Sequence, residues 1–178
     1  MRKTVLYLSL LLSISYLISC TRPVKHADPF YNVDDAFFNM DPARLPLIKP
    51  VEAVHVNSWQ LDFPSRYIFR VTVPNTDILT YYTYSIAELD KFAVENNVIM
   101  AYSSYFDKKY APAYIQENYY HWFVIVLDQE ISKGFHTEDE FHQYIQTLGI
   151  SNPDWQTPDE AYEQFKQTGC LEWIPDCD

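Results

Sequence analysis

The chain has 178 residues, a formal net charge of −11 and only three glycines. An acidic chain is a poor ligand for nucleic acid, because binding requires lysine and arginine side chains that neutralise phosphates. So few glycines also leave little material for a phosphate-cradling loop or a nucleophile elbow. These properties disfavour nucleic-acid and nucleotide functions, and the length suits one domain.

The first twenty residues have the pattern of an export signal. Arg2 and Lys3 give a basic start, residues 10–18 are mostly apolar, and Cys20 closes the segment. A secretory signal has an apolar core of about 7–15 residues, whereas a membrane-spanning helix needs roughly 20. The apolar stretch is therefore too short to span a bilayer, and residues 1–19 are predicted to be a cleaved signal peptide.

The residues Leu17-Ile18-Ser19-Cys20 resemble the lipobox of bacterial lipoproteins. The resemblance implies a thioether-linked diacylglycerol on Cys20, cleavage before this residue and acylation of the new amino terminus. Several acyl chains on one residue exceed the two signals that stable anchoring needs. Thr21 stands where an aspartate is the usual cue for inner-membrane retention, so the resemblance implies the outer membrane. The alternative is an ordinary cleaved signal with a chance cysteine.

Residues 20–50 are predicted to form a lipid-anchored, proline-rich tether. Prolines interrupt regular helix, so much of the segment should be extended. Its apolar side chains would be unusual in a solvated linker, and we expect the later half to pack on the body. The prolines are Pro23, Pro29, Pro42, Pro46 and Pro50.

Three capping boxes predict the starts of three helices. In each box a hydroxyl side chain accepts from the amide three residues later, and a glutamate there reaches back. The second helix should end at Gly149 and the third at Gly169. The pairs are Ser85 with Glu88, Thr137 with Glu140, and Thr157 with Glu160.

Five segments rich in β-branched and aromatic residues are predicted to be strands. Residues 122–127 are apolar throughout, which is typical of a central strand buried on both faces. We therefore predict an α+β fold for residues 51–178, a single domain with one mixed or antiparallel sheet of about five strands and about three helices. The predicted strands are residues 53–60, 67–73, 79–84, 98–103 and 120–127.

Cys170 and Cys177 remain as an even pair once Cys20 carries lipid. The cell envelope is oxidising, so we expect a disulfide, worth around 2.5 kcal/mol for a loop of about eight residues. A metal site would be the alternative, but no second Cys or His pair stands nearby in the sequence. We predict no metal and no cofactor.

A histidine-rich stretch also raises the question of a metal. His136 and Glu140 are four residues apart, and His142 follows on the same predicted helix. The competing interpretation is a helix N-terminus with acids matched to its dipole and histidines in solvent, and we favour it. No serine stands in a motif that would mark a nucleophile, so no catalytic residue is predicted.

Tyrosines crowd the middle of the chain and acids its end. Tyrosine gives rigid contact area at small entropic cost, although strands also use it as half-buried filling. Residues 125–178 hold twelve acidic and two basic side chains, which predicts a strongly negative surface. The candidate partner-binding residues are Tyr105, Tyr110, Tyr114, Glu138 and Asp139.

These features predict a membrane-anchored lipoprotein of the envelope that acts as a non-enzymatic protein-binding module in the periplasm. Its most concrete form is an immunity or inhibitor protein that meets a basic toxin or hydrolase. The alternative is an envelope enzyme or glycan-binding lipoprotein that uses the tyrosine-rich middle, with His55, His121 or His136 near it.

Overall fold

The structure is a computed structural model that describes residues 23–33, 42–72, 80–83, 85–105 and 119–177. The predicted signal peptide, Cys20, Tyr110 and Tyr114 lie outside the described residues. Neither α-helix within those ranges combines the length and the apolar character needed to cross a bilayer.

The described strands pair antiparallel throughout, in two sheets of four strands and one of two. The α+β class is therefore confirmed, whereas the prediction of one sheet with about five strands is wrong. In chain order the strands are β1 (Ala43–Pro46), β2 (Glu52–His55), β3 (Trp59–Asp62), β4 (Phe69–Thr72), β5 (Thr80–Thr83), β6 (Ser85–Ile86), β7 (Leu89–Glu95), β8 (Val98–Ser103), β9 (Trp122–Val126) and β10 (Ile131–Phe135).

The first sheet has the order β1-β2-β3-β6. The sequence predicts one strand over residues 53–60, but the chain turns at residues 56–58 and forms the β2–β3 hairpin. Strand β1 lies inside the predicted tether. Pro46 is compatible with β1 because this is an edge strand, where a missing amide need not break a ladder.

The second sheet has the order β10-β9-β8-β7. Strand β8 has the predicted bounds, and β9 occupies an inner position with all five residues buried, as predicted. Strand β10 was absent from the sequence prediction. Strands β4 and β5, which correspond to two predicted strands, form a separate ribbon.

Two α-helices follow the strands, α1 (Glu138–Thr147) and α2 (Pro158–Thr168). Both begin with the predicted capping boxes, with each glutamate side chain reaching back to its N-cap backbone. A glycine in the left-handed region follows each helix, Gly149 with φ +81° and Gly169 with φ +72°. The second and third predicted helices are therefore confirmed.

The first predicted helix is wrong, because residues 85–95 form β6 and β7. Glu88, which the predicted capping box needs in a helical turn, has φ +49° and lies in the left-handed region. Asn96 and Asn97 also have positive φ and close a two-residue hairpin between β7 and β8. Two consecutive asparagines suit such a turn, and this signal outweighs the local capping pattern.

The second sheet separates two apolar clusters. One face of β8 and β9, carrying Ile99 and Ile125, packs with the first sheet and α2. The opposite face, carrying Met100 and Val124, packs with α1. The described body is therefore layered, with α1 on one side of the second sheet and the first sheet with α2 on the other.

The N-terminal segment (residues 23–33) docks at the end of α2. The Val24 amide donates to the Thr168 carbonyl oxygen at 2.7 Å, and His26 Nε2 donates to the Gly169 carbonyl oxygen at 2.6 Å. This segment belongs to the first half of the predicted tether. Packing on the body therefore begins earlier in the chain than the sequence predicts.

We expect Gly169→Ala to destabilise the protein more than Gly149→Ala. Each substitution places a side chain in the left-handed region, at a cost of about 1–2 kcal/mol. A Cβ on Gly169 would also lie 2.5 Å from the Val24 carbonyl oxygen, whereas nothing lies within 4 Å of a Cβ on Gly149. Such overlap adds about 1–3 kcal/mol. Urea denaturation measures the difference, and equal losses would contradict the docking of the N-terminal segment.

Candidate functional site

An open cleft of 520 Å³ lies where α1 meets the edge strand β10. One wall comes from β10 and the other from the first two turns of α1. The lining combines aromatic rings with charged and amide side chains. The described lining residues are Tyr120, Lys133, Gly134, Phe135, His136, Glu140, Gln143 and Tyr144.

Gly134 in β10 shapes one side of this α1 cleft. The Tyr120 ring packs so closely on Gly134 that a Cβ there would overlap the ring. Burial raises the pKa of the Tyr120 hydroxyl, and the Glu140 carboxylate raises it further. The phenol therefore stays protonated at neutral pH and keeps its capacity to donate a hydrogen bond.

The first turn of α1 holds a carboxylate in a fixed position at the cleft. Glu140 Oε2 accepts from the Thr137 and His136 amides, each at 3.2 Å. The hydrogen bond from the Thr137 amide is the main cause that holds the pKa of Glu140 below its usual range, and the His136 amide adds to it. The carboxylate is therefore ionised at neutral pH.

Two further acids stand beside Glu140 in the first turn of α1. Glu138 and Asp139, which the sequence predicts as partner-binding residues, are both exposed. The positive end of the helix dipole favours carboxylates at this place. Three neighbouring carboxylates give the start of α1 a negative field, and among them Glu140 lines the α1 cleft.

His136 has its ring fixed at the mouth of the cleft. Its Nδ1 donates to the Tyr119 carbonyl oxygen at 3.0 Å, which holds the ring in one orientation. The centres of the His136 and Tyr120 rings are 4.8 Å apart. The described lining holds no serine, threonine or cysteine. The lining residues offer hydrogen bonding, ring contact, charge and groups that can exchange protons.

Lys133 brings a positive charge to the same cleft. Its Nζ lies 4.2 Å from the centre of the Tyr144 ring and 5.3 Å from that of Phe135. Cation–π contacts of this kind hold an ammonium group against a ring. The α1 cleft thus presents both an anionic rim and a cationic wall.

The predicted tyrosine site is only partly within the described residues. Tyr105 is 42% exposed and borders a separate pocket of 40 Å³, which Tyr119 also lines. The next residue, Tyr120, lines the α1 cleft. Tyr110 and Tyr114 fall in the undescribed stretch between Tyr105 and Tyr119.

The three histidines of the alternative function are in different surroundings. His136 lines the α1 cleft. His121 Nδ1 donates to the Ser103 carbonyl oxygen at 2.9 Å, at the end of β8. His55 lies in the first sheet, with its ring 5.2 Å from that of Trp59.

The histidine-rich stretch does not assemble a metal site from its described residues. The Glu140 carboxylate is engaged by backbone amides, and His142 Nε2 lies 3.6 Å from Glu138 Oε1. Possible metal ligands converge elsewhere in the described chain, where His26 lies beside Cys170 and Cys177. The sulfurs of this cysteine pair are at disulfide distance, with their Cα atoms 5.4 Å apart.

A second aromatic cluster lies on the α1 side of the second sheet, and it surrounds a cation of the chain itself. Lys91 Nζ lies 4.7 Å from the Trp155 ring centre, 4.8 Å from Trp122 and 5.4 Å from Tyr102. Lys91 fills the space among these rings, whereas the α1 cleft keeps an open volume of 520 Å³ beside Lys133, so the α1 cleft is the better candidate for a ligand site.

Sequence reasoning missed Tyr120, Lys133 and Gln143 as neighbours in one cleft. One signal was available, because a glycine inside a strand often marks the close approach of another group. Gly134 is such a glycine, and it is one of only three in the chain. The meeting of β10 with α1 could not be seen without the fold.

Comparison with known proteins gives no relative, since the chain matches no family model, no curated protein and no solved structure.

We expect Glu140→Gln to lower the melting temperature more at about pH 7 than at about pH 3, which lies below the unfolded-state pKa of glutamate. The folded-state pKa of Glu140 is depressed, so its ionised form stabilises the fold above the unfolded pKa. This stabilisation is lost as the pH falls through the depressed value. Thermal melts at both pH values measure the effect.

A matched control for this comparison is Glu172→Gln, which alters an exposed acid outside both helices. It should change the melting temperature little at either pH. An equal loss for Glu140→Gln at both pH values would show that the carboxylate charge is not what stabilises the start of α1.

Proposed function

We propose that this protein is a lipid-anchored lipoprotein of the envelope whose α1 cleft binds a basic protein partner without catalysing a reaction. The observation that carries the proposal is the α1 cleft itself. The cleft has a volume of 520 Å³ and is bordered by aromatic rings and the Glu140 carboxylate, and two further exposed acids stand in the same first turn of α1. A basic side chain entering the cleft would meet the Glu140 carboxylate and the Tyr120 ring, while Lys133 lies on the Tyr144 ring.

The negative charge at the start of α1 and on the chain as a whole supports a basic protein partner. Glu138 and Asp139 are exposed on the first turn of α1, and Glu140 adds a fixed carboxylate. The wider chain is also acidic, with a net charge of −11. Complementary fields raise the rate of encounter and disfavour acidic proteins as competitors.

The position of the N-terminal segment supports anchoring through residues that do not line the α1 cleft. Val24 and His26 dock at the end of α2, which packs in the layer of the first sheet. The α1 cleft lies at the edge strand β10, where Tyr120 packs against the cluster of the first sheet and Phe135 packs in the apolar cluster on the α1 side. Lipid on Cys20 would be joined to the body through the segment that docks at the end of α2, which does not line the cleft.

An immunity or inhibitor protein is the form of this proposal that the features support best. Such a protein needs a rigid surface that covers a basic toxin or hydrolase, and it needs retention where that enzyme acts. The capping box of α1 and the fixed His136 ring supply the rigid surface.

Glycan binding is the second candidate, and one observation favours it. The Tyr120 and Tyr144 rings border the same cleft as the polar side chains of His136 and Gln143. Sugars commonly bind where aromatic faces stand beside hydrogen-bonding groups.

We expect a photoreactive residue at Gln143, but not at Gln146, to cross-link the partner in intact cells. Both glutamines are exposed on α1, and only Gln143 lines the cleft. The partner captured at position 143 should be a basic protein. With that partner purified, Gln143→Arg should weaken binding about tenfold through blocking and charge repulsion, whereas Gln146→Arg should change it little.

Equal cross-linking at both positions, or an acidic protein captured at position 143, would contradict the protein-binding proposal. Saturable binding of cell-wall glycan fragments that Gln143→Arg abolishes would establish the second candidate instead. The anchor is checked separately by mass spectrometry of the mature amino terminus. We expect diacylglycerol on Cys20. A free thiol on Cys20 would contradict the proposed lipid anchor.

A further inference from the structure

Three side chains with metal-binding atoms meet where the N-terminal segment reaches the end of α2. His26 Nε2 and the sulfurs of Cys170 and Cys177 all lie within 4.8 Å of one another. The distance from His26 Nε2 to Cys177 Sγ is 3.8 Å. His26 is only 8% exposed, although its imidazole is polar.

The backbone fixes His26 at this place from several sides. The preceding Val24 amide is bonded to the Thr168 carbonyl oxygen at 2.7 Å. The His26 amide donates to Asn32 Oδ1 at 2.7 Å, and Asn32 Nδ2 donates back to the His26 carbonyl oxygen at 3.2 Å. The imidazole is therefore held beside the cysteine pair before any ligand arrives.

The cysteine side of the cluster is also ordered. The Cys170 amide donates to Thr168 Oγ1 at 2.9 Å, and this hydroxyl donates to the Cys170 carbonyl oxygen at 2.8 Å. Both cysteines are partly exposed, whereas His26 is buried. A reductant can therefore reach the sulfurs, and the imidazole closes the inner side of the site.

We propose that reduction of the Cys170–Cys177 disulfide opens a binding site for a soft metal ion, Cu(I), held by both thiolates and His26 Nε2. This inference goes beyond the proposed function and does not depend on it. The sequence argues against a metal at the cysteine pair because no second Cys or His pair stands nearby in the chain. The fold brings in His26, which precedes Cys177 by 151 residues.

The ligand set favours Cu(I) among the common ions. Thiolates are soft ligands that select Cu(I) over hard cations, and imidazole suits copper as well. A structural Zn²⁺ site is almost always closed by four protein ligands, and the described cluster has three. A three-ligand site therefore fits Cu(I) better than structural zinc.

The spacing of the ligand atoms fits metal bonds of ordinary length. Metal–sulfur bonds of about 2.3 Å and metal–nitrogen bonds of about 2.0–2.1 Å place S and N about 3.6–3.8 Å apart at tetrahedral to trigonal angles. The observed distance between Cys177 Sγ and His26 Nε2 is 3.8 Å. The N–S spacing therefore suits a shared metal ion once Nε2 gives up its hydrogen bond to the Gly169 carbonyl oxygen and the two sulfurs separate on reduction.

The reaction that opens the site is a thiol–disulfide exchange with a dithiol donor. Two electrons and two protons pass from the donor to the cysteine pair, so the S–S bond breaks, two S–H bonds form, and the donor becomes a disulfide. Binding Cu(I) then forms two Cu–S bonds and one Cu–N bond and releases both thiol protons. The His26 proton, which Nε2 donates to Gly169 in the disulfide form, moves through solvent to Nδ1.

The test is a Cu(I) titration of the purified full-length protein. The protein is reduced with a phosphine, freed of the reductant without air, and titrated against a chromophoric Cu(I) chelator. We expect the reduced protein to take one Cu(I) per chain and the disulfide form to take none at this site. Uptake that is the same in both forms would overturn the proposal.

His26→Gln tests the histidine while keeping a side-chain amide that can donate to the Gly169 carbonyl oxygen. It should weaken Cu(I) binding at least about tenfold, since even groups outside the ligand shell contribute 10–100-fold to metal affinity. His55→Ala, which removes a histidine of the first sheet, should leave the affinity unchanged. An unchanged affinity in His26→Gln would mean that His26 only caps α2, and it would overturn the assignment.

X-ray absorption at the copper edge identifies the atoms bound to copper. If His26 had only a structural role, its substitution would not change these atoms. The reduced, copper-loaded protein should show two sulfur neighbours and one nitrogen neighbour, and His26→Gln should lose the nitrogen. Sulfur-only coordination in the unsubstituted protein would contradict the three-ligand site.

Discussion

The fold depends on the need to cover both faces of the second sheet. Every residue of β9, from Trp122 to Val126, is buried, and β8 beside it is almost as fully enclosed. Burying one large apolar side chain contributes about 1.5–3 kcal/mol, so neither face can be left in water. Helix α1 covers one face, and the first sheet with α2 covers the other. The remaining elements take their positions from this requirement.

The same layering places the α1 cleft and the metal-ligand cluster in different parts of the body. The α1 cleft forms on the α1 side, because the start of α1 must lie against β10 once Phe141 and Ile145 are buried on the sheet. The N-terminal segment and the cysteine pair meet at the end of α2, across the second sheet. The cleft and the metal-ligand cluster are therefore built from different elements, the cleft from β10 and α1 and the cluster from the N-terminal segment and the end of α2.

Patterns of neighbouring residues in the sequence predict the elements whose stability depends on interactions between neighbours. The capping boxes of Thr137 and Thr157 give helix starts that need no tertiary support, and the apolar run of β9 gives a buried strand. The same capping pattern at Ser85 fails, because pairing of β7 with β8 and the Asn96-Asn97 turn outweigh it. Strand β10 escapes prediction because Gly134 interrupts its strand-forming residues. The α1 cleft and the position of His26 depend on contacts between distant residues, which no pattern of neighbours in the sequence reveals.

Hydrogen exchange tests the central role of the second sheet most directly. If coverage of both faces stabilises the whole body, the amides of β8 and β9 exchange only when the protein unfolds globally, and their protection equals the stability from denaturation. Amides at the edge of the first sheet, in β1, should open at lower free energy. Exchange of β9 as fast as that of β1, under conditions where the protein remains folded, would contradict this account of the structure.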